Sequence, residues 1–240
     1  MDIIFILLWF TVCSTTHLLF KFKSKDLIHN FDTLNNANKI IWYNKGTASF
    51  HAFTLFILTA IYWLNYQDID SLNSFSRSYE IFCVNIMLGY LIYDTIFELF
   101  LSTSLSITTL LHHFLGIVSL SCSIYYSCDI CFRLHMIIFV AESSTPFLHI
   151  SWLMHQLKTS ETIIFKCTFL TLIIFFFFSR IILGPYLLII TAYSKEFKHT
   201  YPLLYYLNIF IVASFVFLNF YWFYLLIRLS LTPKSKIKNV

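Results

Sequence analysis

The chain has 240 residues, of which 58% are hydrophobic, 20% aromatic and 12% charged, with a mean hydropathy of +0.75. Soluble domains carry about 25% charged residues, so the polar surface that a soluble fold of this size needs is missing. The net charge of +4 comes from lysines grouped beside apolar runs, which is an orientation signal and gives no reason to expect a nucleic-acid partner.

Apolar runs of about 20 residues recur along the chain, each long enough to cross about 30 Å of hydrocarbon. They predict seven spans, at 2–20, 47–65, 80–101, 105–126, 131–154, 162–191 and 202–228. The expected fold class is an all-α, polytopic membrane protein; the alternation of a membrane β-barrel is absent. The first run, MDIIFILLWFTVCSTTHLLF, shows no basic n-region and no small-residue cleavage site, and Lys21 follows it directly. It reads as a retained signal anchor with a lumenal N-terminus. Segment 21–46 holds Lys21, Lys23, Lys25, Lys39 and Lys45, whereas the loop NYQDIDSLNSFSRSY has one Arg and two Asp. Lys234, Lys236 and Lys238 follow the last run, so the C-terminus is expected in the cytosol. Residues 1–39 are read as anchor helix and basic cytosolic loop, 40–230 as the main domain, and 231–240 as a basic tail.

Ionisable groups inside spans are costly and therefore mark candidate sites. At a rise of about 1.5 Å per residue, five spans place polar groups in one layer, in the cytoplasmic half. These are His51, Asp94, His112 with His113, Glu142 with His149, and Asn219 with Trp222. His112, Gly116, Ser119 and Ser123 form a small, polar stripe expected to face the bundle interior, with His113 on the neighbouring apolar stripe. His113 is therefore expected to be the less central of the pair. Pro146 breaks the backbone ladder beside Glu142. Like charges at Asp94 and Glu98 repel, which sends Glu98 toward the interface. Arg180 lies nearer the opposite leaflet and is expected to pair with a carboxylate or with carbonyls near Gly184 and Pro185.

No metal is expected. Adjacent histidines on a helix diverge by about 100°, and Cys128 with Cys131 lacks further ligands at zinc spacing. These two cysteines read as incidental thiols or a local disulfide. No cofactor is expected either.

The segments YNKGTASFHAF, GYLIYDTI, LLHHFLGIVSL, AESSTPFLHISWLM, SRIILGPY and NFYWF, in that order, resemble the TLC-domain family. That family takes in TRAM proteins, Lag-type ceramide synthases and small TLC-domain-containing proteins, and the resemblance is closest to the small members. It implies that residues 40–230 are a TLC domain in which six spans form a barrel around a lipid-accommodating cavity. In ceramide synthases the paired histidines and a following His-Asp belong to an acyl-transfer site. Here His112 and His113 match the pair, but Ala141-Glu142 stands where His-Asp would be.

Two functions are carried forward. The first is lipid binding or handling that contributes to lipid homeostasis in the endoplasmic reticulum, with a membrane lipid as the partner. His51, Asp94, His112, His113, Glu142, His149, Arg180, Asn219 and Trp222 would supply the cavity's polar site. The alternative is an acyltransferase that moves an acyl group from acyl-CoA to an amine or hydroxyl, with His112, His113 and Glu142 catalytic.

Overall fold

Hydrocarbon solvates no backbone N–H or C=O, and only four Gly and four Pro interrupt this chain, so long helices are the available solution. The computed structural model describes residues 3–65, 74–102 and 105–231. Among these residues there are ten α-helices and no strand. They are α1 (Ile3–Leu27), α2 (Asn36–Asn65), α3 (Ser74–Phe100), α4 (Ile107–Tyr125), α5 (Asp129–Ile138), α6 (Thr145–Gln156), α7 (Ile163–Phe176), α8 (Leu183–Tyr193), α9 (Lys195–Thr200) and α10 (Pro202–Leu231).

Among the described residues seven stretches are long and apolar enough to cross a membrane: α1, α2, Ser76–Phe100, α4, Asp129–Gln156, Ile163–Tyr193 and Pro202–Ser230. The protein is an all-α, polytopic membrane protein. Two spans are not continuous α-helix. A 3₁₀ segment, Phe139–Ser144, separates α5 from α6, with Pro146 in the first turn of α6. A π-helical segment, Phe177–Ile182, separates α7 from α8.

The expected basic loop at 21–46 is a correction. Helix α1 runs on to Leu27 and α2 begins at Asn36, leaving only 28–35 between them. Lysine is a good helix former, and its long stem carries the charge to water from a helical backbone. Lys25 and Lys39 both reach Asp32 across this turn, at 3.2 and 3.9 Å. The basic tail from Lys234 onward, and residues 66–73 of the acidic loop, lie outside the described residues.

Among the described residues three tight connections depend on non-glycine residues in the left-handed region: Asn30 (φ 61°), Ser127 (φ 48°) and Lys158 (φ 59°). After α4, Ser127 N–H donates to the Ile124 carbonyl and Cys128 N–H to the Ser123 carbonyl. After α6, Lys158 N–H donates to His155 and Thr159 N–H to Met154. Both are the paired C-cap bonds that take up the last carbonyls of a helix.

The chain divides into two compact units, Met1–Leu172 and Ile173–Val240. In the first, α3 packs against α1, α2, α4 and α5, and Cys83, Val84, Met87 and Leu91 join Leu55, Phe132 and Met136 in the core. At Gly89 the α1 backbone comes close, since a Cβ there would stand 2.6 Å from the Ile6 carbonyl oxygen. Small residues allow such approaches between helices in lipid. In the second unit α10 packs against α8 and the π segment. Phe176 stacks on Phe223 at 5.9 Å, and Tyr205 donates to the Ala192 carbonyl at 2.7 Å.

Candidate functional site

Asp94 is the centre of a polar cluster in the first unit. It is 8% exposed, one helical turn beyond Tyr90 on α3, and the Tyr90 hydroxyl donates to its Oδ2 at 2.8 Å. From α2, the Asn44 amide donates to Oδ1 at 2.6 Å. From α4, His113 Nε2 lies 3.3 Å from Oδ2. Three helices thus converge on one carboxylate, and each of its oxygens accepts at least one hydrogen bond.

The α3–α4 connection sets the position of His113. Glu98 accepts the Ser106 N–H at 2.7 Å, and Ser106 in turn caps α4 by accepting the Thr109 N–H at 3.3 Å. Glu98 therefore serves the helix connection while Asp94 stays inside. On the far side of the ring, His113 Nδ1 lies 3.3 Å from Thr95 Oγ1. The single Thr95 proton is directed at the Leu91 carbonyl, 2.6 Å away, so this hydroxyl accepts from the ring. His113 is thus bracketed by two α3 side chains, Asp94 on one edge of the ring and Thr95 on the other.

His51 joins through Tyr90. Their rings stack at 4.0 Å with 12° between planes. The Trp9 indole donates to His51 Nδ1 at 3.0 Å, which leaves the ring hydrogen on Nε2, 3.3 Å from the Met87 sulfur. His51 is fully buried. Helix α2 starts at Asn36, so His51 falls near the middle of that helix. It lies seven residues, or about 10 Å, further along α2 than Asn44, the residue that bonds Asp94.

The two histidines of the pair are also corrected. His113 is 4% exposed and bonded to Asp94, whereas His112 is half-buried. The stripe of Gly116, Ser119 and Ser123 does face inward, but helical phase alone did not show that α3 would present a carboxylate to the adjoining stripe. Ser119 instead engages His135 at 3.0 Å.

Other expected residues border this cluster. Glu142 lies within electrostatic range of the Tyr90 hydroxyl and accepts from the Thr145 hydroxyl at 3.0 Å. The Glu142 carbonyl takes the Thr145 N–H, which offsets the donor lost at Pro146. His149 Nδ1 lies 3.0 Å from Ser49 Oγ on α2. Lys45 is within electrostatic range of Asp94 and Glu98 and sits 5.2 Å over the Trp152 ring.

Arg180, Asn219 and Trp222 belong to the second unit. Arg180 is 8% exposed, donates to Asn219 Oδ1 at 3.4 Å, and stands 5.3 Å over the Phe176 ring. Its partners there include the side-chain amide of Asn219 on α10, beyond the carboxylates and carbonyls considered from the sequence. Trp222 is half-buried on the same helix. Among the described residues no group of three His, Cys, Asp or Glu could hold a metal ion.

Tyr90, Asn44, Thr95 and Trp9 are the participants that sequence reasoning missed. A signal existed for Tyr90, whose i, i+4 spacing from Asp94 puts a hydroxyl beside a buried carboxylate. A second polar group lies at the other ends of α2 and α3, where the Tyr62 hydroxyl donates to Glu80, itself 1% exposed. Nothing in a run that begins a span distinguishes Glu80 from an interfacial residue.

Compared with known families, the chain matches the TLC domain (TRAM, LAG1 and CLN8) over residues 3–228. The match takes in α1 as well as the later spans. No curated protein matches the chain. A TLC domain is that of a membrane protein of lipid metabolism or lipid sensing. Seven apolar spans and a match over nearly the whole length agree: the chain belongs to the TLC-domain family.

Proposed function

We propose that the protein binds or handles a membrane lipid, in the manner of the small TLC-domain proteins rather than the ceramide synthases, and so contributes to lipid homeostasis in the endoplasmic reticulum. One observation carries this reading. The Asp94 cluster is closed on itself, with both carboxylate oxygens and both His113 nitrogens engaged by protein groups. With Nε2 against Asp94 and Nδ1 against Thr95, neither His113 nitrogen is open to a substrate proton. The cluster can instead exchange a partner. The 3.3 Å contact of His113 with Asp94 is the longest of the three, and a head-group hydroxyl or amine would displace it at least cost. Ala141, in place of the family's histidine, points the same way.

Acyl transfer by His112, His113 and Glu142 is the competing reading, and one experiment separates the two. Purified protein in nanodiscs is incubated with labelled acyl-CoA and sphingoid or lysophospholipid acceptors, and copurifying lipid is quantified by mass spectrometry. The expected result is bound lipid without transfer. Asp94→Asn should reduce bound lipid several-fold, and His112→Gln should leave it close to wild type. Wild-type transfer that falls about 10²–10⁴-fold in both His112→Gln and Glu142→Gln would overturn the proposal.

A further inference from the structure

The end of the three-residue turn between α4 and α5 and the first turn of α5 together hold a dithiol, Cys128 and Cys131, that the polar cluster does not use. Cys128 caps α5, its sulfur accepting the Cys131 N–H at 3.3 Å. Neither cysteine is in a disulfide, and both have 0% exposure. A side-chain hydrogen bond from Cys131, helped by backbone N–H groups, holds the Cys128 thiol below its ordinary value against the opposing effect of burial. A Cys-x-x-Cys whose first cysteine caps a helix presents that sulfur as the nucleophile and the second as the resolving thiol. The remaining cysteines lack such a partner in sequence register: Cys13 and Cys83 are on other helices, Cys122 is six residues earlier, and Cys167 is exposed on α7.

The turn is held shut by groups that open readily. Arg77 pairs with Asp129 at 3.1 Å and donates to the Ser127 carbonyl at 3.2 Å, with both charged side chains 40% exposed. Half-exposed pairs of this kind contribute little. Tyr125, Tyr126 and Ser127 are exposed, and Ser127 already holds a left-handed backbone. Release of Arg77 therefore frees the Ser127 carbonyl and Asp129, the residues on either side of Cys128.

We propose that Cys128 and Cys131 form a redox-active pair that closes to an intramolecular disulfide by exchange with a low-molecular-weight disulfide such as glutathione disulfide. The Cys128 thiolate attacks one glutathione sulfur, forming a mixed disulfide and expelling a glutathione thiolate. That thiolate takes the proton of Cys131, whose sulfur then attacks Cys128 and expels the second glutathione. Two protein thiols are oxidised and one glutathione disulfide is reduced to two thiols. The orientation expected from the lysines puts this turn on the lumenal side, where such oxidants reside, but the chemistry does not depend on the lipid-handling reading.

The full-length protein in detergent is equilibrated in glutathione buffers of reducing and oxidising ratio, alkylated, and cut with chymotrypsin, which releases Ser127–Phe132 with both cysteines. In the oxidising buffer the expected peptide is unalkylated and lighter by two hydrogens than the dithiol; in the reducing buffer it carries two alkyl groups. Cys122→Ala should give the same result, and Arg77→Ala should close several-fold faster. Double alkylation in the oxidising buffer, a bond to Cys122, or glutathionylation without closure would overturn the pair. An unchanged rate in Arg77→Ala would overturn the gate.

Discussion

A carboxylate buried among apolar helices is tolerated only when donors surround it, and Asp94 has three from three helices. Removing the acceptor strands Asn44, Tyr90 and His113 together, whereas removing one donor leaves two. Asp94→Ala should therefore cost about 3–5 kcal/mol, and Tyr90→Phe about 1–2 kcal/mol. Thermal unfolding of both variants in one detergent checks the order, and a Tyr90→Phe as damaging as Asp94→Ala would contradict the network. Of the polar residues singled out in the spans, Asp94 was readable from its cost alone. Which histidine served it was not, because His112 and His113 differ by about 100° and only the position of α3 selects between them.

At the scale of elements, contact distances decide what a small residue is worth. Gly89 lies against the backbone of α1, and a backbone cannot step aside as a side chain can. Gly116 meets only the end of Leu91, where a Cβ would stand 2.8 Å from Cδ1. Gly89→Ala should destabilise by about 1–3 kcal/mol, with Gly116→Ala at the lower end of that range. Guanidinium or sodium dodecyl sulfate titration compares them. The C-cap after α6 gives the opposite sign. Lys158 holds a left-handed backbone that glycine adopts without steric cost, so Lys158→Gly should stabilise by about 0.5–1 kcal/mol. Both caps were invisible beforehand because the usual marker, glycine, stands at neither.

For the whole molecule, the lysine distribution makes orientation a proposal with a direct test. The N-terminus is placed in the lumen, and the 28–35 turn and the tail in the cytosol. A cysteine introduced at Asn30, in a background without exposed Cys167, should react with a membrane-impermeant maleimide once only the plasma membrane is permeabilised. Protection at that stage would reverse the assignment.

Seven spans and the family were legible in the linear order of residues, since a lipid solvent imposes length and hydropathy on every span. The broken fifth span was legible too, from Pro146, because proline lacks the N–H that a continuous ladder needs. The partners of Asp94 were not. Asn44, Tyr90 and His113 lie as much as 69 residues apart in sequence, and what joins them is the register at which α2, α3 and α4 pack. That register follows from close contacts such as Gly116 on Leu91 and Tyr90 on His51, which exist only once the helices have met.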